Sequence, residues 1–126
     1  MPGRLLPRLL RFPYFARYTA DVPTTIAGDA ALPIDEDGTF VLTKGSAAAI
    51  SVAAPTDQNI GRKITVISNS DFAHVLTFTG TTILDGTTGA NLTWTAAAFG
   101  GSSLTFRAIS ATRWAVESMN LGALSA

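Results

Sequence analysis

A two-residue alternation of side chains constrains this chain more than any other feature of its sequence. Residues 72–79 place one set of side chains on a single face: Phe72, His74, Leu76 and Phe78. A β-strand directs successive side chains to opposite faces, so this period predicts a strand with one face on a core. The same period recurs at Ile50/Val52, Ile64/Val66, Leu92/Trp94, Leu104/Phe106 and Trp114/Val116. Such closely spaced short strands, separated by Gly, Asp, Asn and Ser turns, predict an all-β protein.

The fold predicted from this pattern is a small antiparallel β-sandwich, jelly-roll-like or barrel-like, with an extended N-terminal arm. It has about eight short strands, predicted at residues 39–43, 48–53, 63–68, 73–79, 82–84, 92–95, 103–109 and 113–118. Asp85-Gly86 is a pair typical of a hairpin turn, and residues 110–112 form a tight link between the last two strands. A fold class of this kind does not by itself indicate a function.

Length and composition favour one domain with a weakly charged surface. The chain has 126 residues, of which 47% are hydrophobic and only 14% charged, against about 25% charged residues in average soluble domains. A surface of this kind suits a protein that neighbours cover. The chain has no cysteine, which excludes disulfides and thiolate metal sites. No apolar run is long enough to span a bilayer.

The charges are unevenly placed along the chain. Residues 1–20 contain four arginines and no acid, and residues 21–37 contain five acids and no base. This predicts a basic arm and acidic connector at residues 1–38, followed by a β-sandwich domain at residues 39–126. Prolines and glycines favour an extended, solvated connector. Its consecutive acids do not fit a helix-bounded calcium loop, because Lys44 stands where the closing glutamate is needed.

The arm is the predicted partner-binding segment. Its candidate binding residues are Arg4, Leu5, Arg8, Leu9, Arg11, Phe12, Tyr14, Phe15, Arg17 and Tyr18. They predict a short amphipathic turn and then an extended aromatic segment, and this arm cannot bury its own apolar side chains. A disordered terminus is one alternative, although such tails rarely hold so many large apolar residues. Nucleic-acid binding is a second, but the adjacent acids oppose it. Membrane-surface binding is a third, and the arm has neither lysines nor a long helix for it.

Catalysis is not predicted. His74 is the only histidine, so any acyl-transfer triad would have to use it, and no nucleophile signature accompanies it. Its apolar strand neighbours favour a packed or interface histidine. One histidine without cysteines also argues against zinc. The sequence therefore predicts no catalytic residue, no metal and no cofactor.

Four stretches of the β-domain carry a resemblance to a known group of proteins. They are the Ala/Thr/Ser-rich run 41–56 with Lys44-Gly45-Ser46, the run 61–68 with Ile64-Thr65-Val66, the run 73–78, and the closing Arg113-Trp114-Ala115-Val116. Over roughly residues 39–118 the chain resembles small β-sandwich domains of tailed-bacteriophage structural proteins, particularly head decoration (cement) proteins and some fibre domains. The arm is not covered. The resemblance implies a non-catalytic virion component on the capsid surface, commonly trimeric, with the major capsid protein as its partner.

Two functions follow as expectations. The first is capsid cement, in which a homotrimer packs through its β-domains and the arms dock on neighbouring shell subunits, with no nucleic acid or membrane partner. Ile67, Phe99 and Leu121 fall outside the core register and are expected at the oligomer interface. The second is a fibre or spike domain that binds a host surface glycan. Trp94 and Trp114 lie in period with apolar residues, which predicts core positions and disfavours a glycan site.

Overall fold

The computed structural model describes residues 22–78, 82–84, 88–90 and 92–125. Their strands are β1 (Thr24–Ile26), β2 (Ala30–Ala31), β3 (Gly38–Leu42), β4 (Ala49–Val52), β5 (Lys63–Ser68), β6 (Val75–Phe78), β7 (Thr82–Leu84), β8 (Thr88–Ala90), β9 (Thr93–Thr95), β10 (Ser103–Ser110), β11 (Arg113–Asn120) and β12 (Ala123–Ser125). A single 3-10 turn at Asp57–Asn59 is the only helical segment within this part of the chain.

The strands form two sheets, between which the chain winds as a coil. The seven-stranded sheet has the order β1-β3-β5-β10-β11-β7-β8, and the five-stranded sheet has the order β12-β9-β6-β4-β2. The first six strands alternate between the two sheets. Each strand from β3 to β6 therefore lies parallel to the strand two places before it. After this coil, β7 and β8 form an antiparallel pair, as do β10 and β11.

The all-β sandwich predicted from the alternation is confirmed, and its antiparallel character is corrected. Five strand pairs are parallel, namely β1–β3, β3–β5, β2–β4, β4–β6 and β7–β11, so both sheets are mixed. The alternation of side chains predicts individual strands but not which of them pair. The loops after β3 and β4 each carry the chain across to the opposite sheet, which makes the neighbours within a sheet parallel. The described residues also hold twelve strands rather than about eight.

The acidic connector is partly a structural element, which corrects its prediction as a linker. Strand β1 pairs with β3 and strand β2 pairs with β4. Leu32 is 4% exposed and donates its backbone N–H to the Ser51 carbonyl oxygen at 2.8 Å. The Asn59 side chain donates to the Ile34 carbonyl oxygen at 2.9 Å. The sandwich thus begins by Thr24 rather than at residue 39, while Asp35, Glu36 and Asp37 remain exposed.

The core lies between the sheets and contains the inward residues that the alternation predicted. The fully enclosed large side chains include Phe40, Leu42, Ile50, Ile64, Leu76, Phe78, Trp94, Leu104, Phe106 and Trp114. Phe106 packs edge to face on Phe78 and on Trp114, with ring centroids 5.1 and 5.0 Å apart. The Trp114 indole also donates to the Ala53 carbonyl oxygen at 3.0 Å. No helix in the described residues is long and apolar enough to cross a membrane.

Candidate interaction surface

The residues predicted to bind a partner precede the described part of the chain. Arg4, Leu5, Arg8, Leu9, Arg11, Phe12, Tyr14, Phe15, Arg17 and Tyr18 all lie outside the described residues. Their role stays a prediction. The turn pair Asp85-Gly86 also lies outside them, although β7 and β8 on either side pair antiparallel as a hairpin requires. The sandwich itself carries a second candidate surface, which the sequence did not locate.

The outer side of the five-stranded sheet carries small, uncharged side chains along β4, β6, β9 and β12. Strand register aligns them in two rows: Ala49, Val75, Thr95 and Ala123 in the first, and Ser51, Thr77, Thr93 and Ser125 in the second. The residues between them, such as Ile50, Leu76 and Trp94, point inward and are buried. We call these eight side chains the charge-free face. A sheet surface without charges costs less to desolvate than a charged one, provided that its Ser and Thr hydroxyls find hydrogen-bond partners when another surface covers it.

The seven-stranded sheet presents the opposite chemistry. Glu117 on β11 accepts from the Arg107 guanidinium at 2.7 Å and lies 3.6 Å from the Lys63 ammonium. The Arg107 hydrogen bond lowers the pKa of the Glu117 carboxyl, and the same bond raises the pKa of Arg107. These groups are exposed, so the ion pairs contribute little to stability. They do keep this outer side well hydrated, which leaves the charge-free face as the more readily desolvated side of the sandwich.

Three large apolar side chains stand exposed at one end of the charge-free face. Phe72, Phe99 and Leu121 have exposed fractions of 38%, 53% and 47%, and we call them the apolar rim. The Gly100 N–H donates to the Asp71 carboxylate at 2.8 Å, which ties the loops of Phe99 and Phe72 together. Leu121 adjoins Gly122, whose backbone packs directly on Thr95 and Trp94. Val75, Thr95 and Ala123 lie in register, so the loops that carry the rim residues leave the sheet at the same end as the first row of the charge-free face.

The apolar rim agrees in part with the sequence-based choice of interface residues. Phe99 and Leu121 are exposed, as their lack of core register indicated, whereas Ile67 is half-buried between β3 and β10. Leu121 has a φ of 62° and is the only described non-glycine residue with a positive φ. A bulky side chain in this left-handed region is strained by about 1–2 kcal/mol. Such strain, stored at an exposed apolar residue, points to a use other than folding.

A paired charge marks the other margin of the charge-free face. The Asp29 carboxylate accepts from the Lys44 ammonium at 2.8 Å and from the Ala49 N–H at 2.9 Å. These bonds, with that from Lys44 first, lower the pKa of Asp29. The carboxylate thereby binds the first N–H of β4, just before the residues of β4 that pair with β2. A shallow open groove of about 360 Å³ lies beside it, between Asp29 and Thr77.

The structure places a serine against the only histidine, a contact that the sequence did not predict. Ser70 Oγ lies 2.7 Å from His74 Nε2, the distance expected of a nucleophile and its base. The other ring nitrogen, Nδ1, accepts from the Ala48 N–H at 2.9 Å and has no carboxylate partner. Since Nδ1 is the acceptor, the neutral ring carries its proton on Nε2 and cannot take a proton from Ser70. His74 is also 0% exposed, and its two ring nitrogens join the loop of Ser70 to the loop of Ala48.

The described residues contain no cluster of three or more histidine, aspartate or glutamate side chains arranged to hold a metal ion. Comparison of the chain with protein-family models, with curated proteins and with solved structures finds no match.

Proposed function

We propose that this chain is a structural virion protein, a decoration (cement) protein that binds the outer surface of a tailed-bacteriophage head and stabilises it. The observation that carries the proposal is the charge-free face together with the apolar rim at one end of the same sheet. Charge depletion with exposed aromatic residues is the composition of the buried centre of a protein–protein interface. The resemblance of residues 39–118 to phage decoration domains supports the same assignment.

The proposal gives two roles to two parts of the chain. The charge-free face and apolar rim mediate self-association, with a homotrimer as the expected state. The basic arm docks on neighbouring subunits of the major capsid protein. Three arms on one trimer bind the shell together, so weak individual contacts sum to a durable attachment if the spacing fits. No catalytic residue, cofactor, nucleic acid or membrane partner belongs to this function.

Imaging of intact particles tests the function directly. A decoration protein is expected in many copies spread over the head, and labelled protein should bind native particles in the same pattern. Density at a few sites on the tail or its fibres would contradict the proposal. That outcome would favour the alternative, a fibre or spike domain that binds a host surface glycan.

The glycan alternative has one feature in its favour. Phe72 and Phe99 are exposed aromatics beside the polar side chain of Asp71, which is a usual composition for sugar binding. Against it, both tryptophans are fully buried and cannot stack on a sugar ring. The open groove beside Asp29 has no aromatic lining in the described chain. These two facts support the decoration role over glycan binding.

The substitution Leu121→Asn is expected to weaken self-association without unfolding the protein. Asparagine tolerates a positive φ, so relief of about 1 kcal/mol of strain offsets the lost burial of a half-exposed leucine. We therefore expect the free energy of unfolding to change by less than about 1 kcal/mol. Sedimentation velocity and urea unfolding measure the two effects separately.

Ile109→Asn is the matched control. Ile109 is 46% exposed and lies near the C-terminal end of β10, whereas the rim residue Phe99 lies in the loop before the N-terminal end of that strand. It should leave the oligomer intact. Equal dissociation of both variants would show that the apolar rim has no special part in the interface.

A further inference from the structure

His74 lies directly beneath the apolar rim and joins two loops that follow different strands. Its Nδ1 accepts from Ala48 N–H at 2.9 Å, in the loop between β3 and β4. Its Nε2 contacts Ser70 Oγ at 2.7 Å, in the loop between β5 and β6. The imidazole also packs edge-on against Phe72, with ring centroids 6.4 Å apart. The histidine thus holds the loop from which one rim residue projects.

The hydrogen bonds around His74 require one protonation state. The Ser70 hydroxyl donates to the Lys44 carbonyl oxygen at 2.8 Å, so its oxygen is left to accept from Nε2–H. Nδ1 must then be unprotonated to accept from Ala48. A second proton on the ring would sit on Nδ1 and place this N–H against the N–H of Ala48. The bridge to Ala48 can exist only while His74 is neutral.

The loop that contains His74 is also connected to the loop of Phe99, the second aromatic residue of the rim. Asp71 follows Ser70 in the same loop, and its carboxylate accepts from the Gly100 N–H at 2.8 Å. The His74 carbonyl oxygen also accepts from the Ala96 N–H at 2.8 Å, at the start of the loop that carries Phe99. Loss of the Ala48 bond would therefore loosen Phe72 and Phe99 together.

We propose that His74 is a positioning residue for the apolar rim, and that its protonation in mildly acidic solution loosens the rim and weakens self-association. This inference rests on the proposed function, because the rim is taken as part of the interface between copies. Protonation of His74 would couple assembly to pH although the side chains that contact the partner copy do not themselves titrate. It would release or rearrange the decoration layer when a particle passes into a mildly acidic medium.

The direction of the pH effect follows from the surroundings of the ring. Burial foremost, and then the positive charge of Lys44, lowers the pKa of His74 from its ordinary value of 6.5. The folded state consequently binds fewer protons than the unfolded state. Stability is therefore complete above the ordinary histidine pKa and declines as the pH falls below it, towards the lowered pKa of the folded state.

The charged groups near the bridge belong to three segments. They are Lys44 in the loop after β3, Asp29 paired with Lys44, and Asp71 in the loop that carries Ser70. Carboxylates in general titrate near about pH 4. Because His74 is the only histidine in the chain and its pKa is lowered, a transition that lies below about pH 6.5 and above the carboxylate range reports on this residue.

The test is sedimentation velocity of the intact chain in steps from about pH 7.5 down to about pH 5, with self-association expected to weaken about tenfold once the histidine has taken up its second proton. His74→Asn is the matched variant, because its side-chain oxygen can still accept from Ala48 N–H but does not titrate in this range. We expect its association to be independent of pH. A second measurement needs no variant: the ring-proton signal of the single histidine and the Ala48 amide signal are followed by NMR through the same range. Both should change together, with a midpoint below that of an exposed histidine.

The possible outcomes distinguish a failure of the His74–Ala48 hydrogen bond from a failure of the proposed function. An oligomer whose affinity stays the same while the ring-proton signal shows that His74 has become protonated would overturn the pH coupling and leave the proposed function standing. A monomer at neutral pH would overturn the proposed self-association and the coupling with it. A histidine that titrates at its ordinary value while the Ala48 amide is unchanged would overturn the bridge itself, whatever the oligomeric state.

Discussion

Removal of residues 1–20 is expected to abolish binding to phage particles and to leave the β-sandwich folded. The first strand begins at Thr24, and every buried core residue in the described chain lies at or beyond Leu32. The deletion therefore takes away no described strand and no described core side chain. Circular dichroism should retain the β-sheet spectrum, while co-sedimentation with particles should fall to background.

The expected size of the effect comes from the arm's apolar residues. Leu5, Leu9, Phe12 and Phe15 would bury in grooves between shell subunits, and each fully buried side chain contributes about 1.5–3 kcal/mol before the cost of ordering the arm. Replacing Phe12 and Phe15 with alanine should mainly speed release. Their burial forms after the encounter, and most interface substitutions act on the dissociation rate.

The arm's arginines are expected to act on a different step. Charge reversal of Arg4, Arg8, Arg11 and Arg17 should slow binding and change its salt dependence, because charges guide encounter and register more than they add affinity. Arg113→Glu is the control, since it reverses an exposed arginine that is outside the arm. It should leave particle binding unchanged. An arm-less, folded domain that binds particles as tightly as the intact chain would refute the anchor role.

The same truncation also separates the two parts of the proposed function. Self-association is assigned to the charge-free face and the apolar rim, all of which lie beyond residue 48. The truncated chain should therefore sediment as the same oligomer as the intact chain. Dissociation on truncation would instead place the arm between copies of this chain rather than on the shell.

Local alternation was enough to predict the strands and the core, because side-chain direction along a strand depends only on near neighbours. Strand β5 was predicted with its observed bounds, and Ile64 and Val66 were correctly placed inward. Strands β1, β2, β8 and β12 were missed, and each is only two or three residues long. Strands β1 and β2 also lie in an acidic segment rich in breakers. Their pairing depends on partners that are distant in the sequence.

The candidate surface could be predicted only in its composition. The low charge of the chain indicated an interface, but Ser51 and Thr65 look alike in the sequence although they lie on the outer sides of different sheets. Only the winding between the sheets decides that the charged residues gather on one side. The His74 bridge was likewise invisible, because Ala48 lies 26 residues from the histidine.

Gly122→Ala is expected to destabilise the protein by about 2–5 kcal/mol, the largest effect of any single glycine substitution in the described chain. Gly122 has a φ of +77°, and a Cβ there would lie 2.6 Å from the Thr95 carbonyl oxygen and 2.9 Å from the Trp94 indole nitrogen. The neighbours cannot yield cheaply, because one is the backbone of β9 and the other belongs to a side chain that is 0% exposed. This geometry fixes the response of the chain: β12 must move away from β9.

Substitutions at two other glycines separate the contribution of backbone strain to this loss of stability from the contribution of steric overlap. Gly61 has a φ of +89° and Gly45 has no positive φ, and a Cβ at either position would meet nothing within 4 Å. Gly61→Ala should therefore report backbone strain alone, about 1–2 kcal/mol, and Gly45→Ala should be neutral or stabilising by up to about 1 kcal/mol. Urea unfolding of the three variants gives the comparison. If Gly122→Ala lost no more stability than Gly61→Ala, the close packing of the β11–β12 turn on Trp94 would be wrong.

Because Leu121 projects from that same turn, a displaced β12 should also disturb the apolar rim. Gly122→Ala should therefore weaken self-association, whereas Gly61→Ala should not.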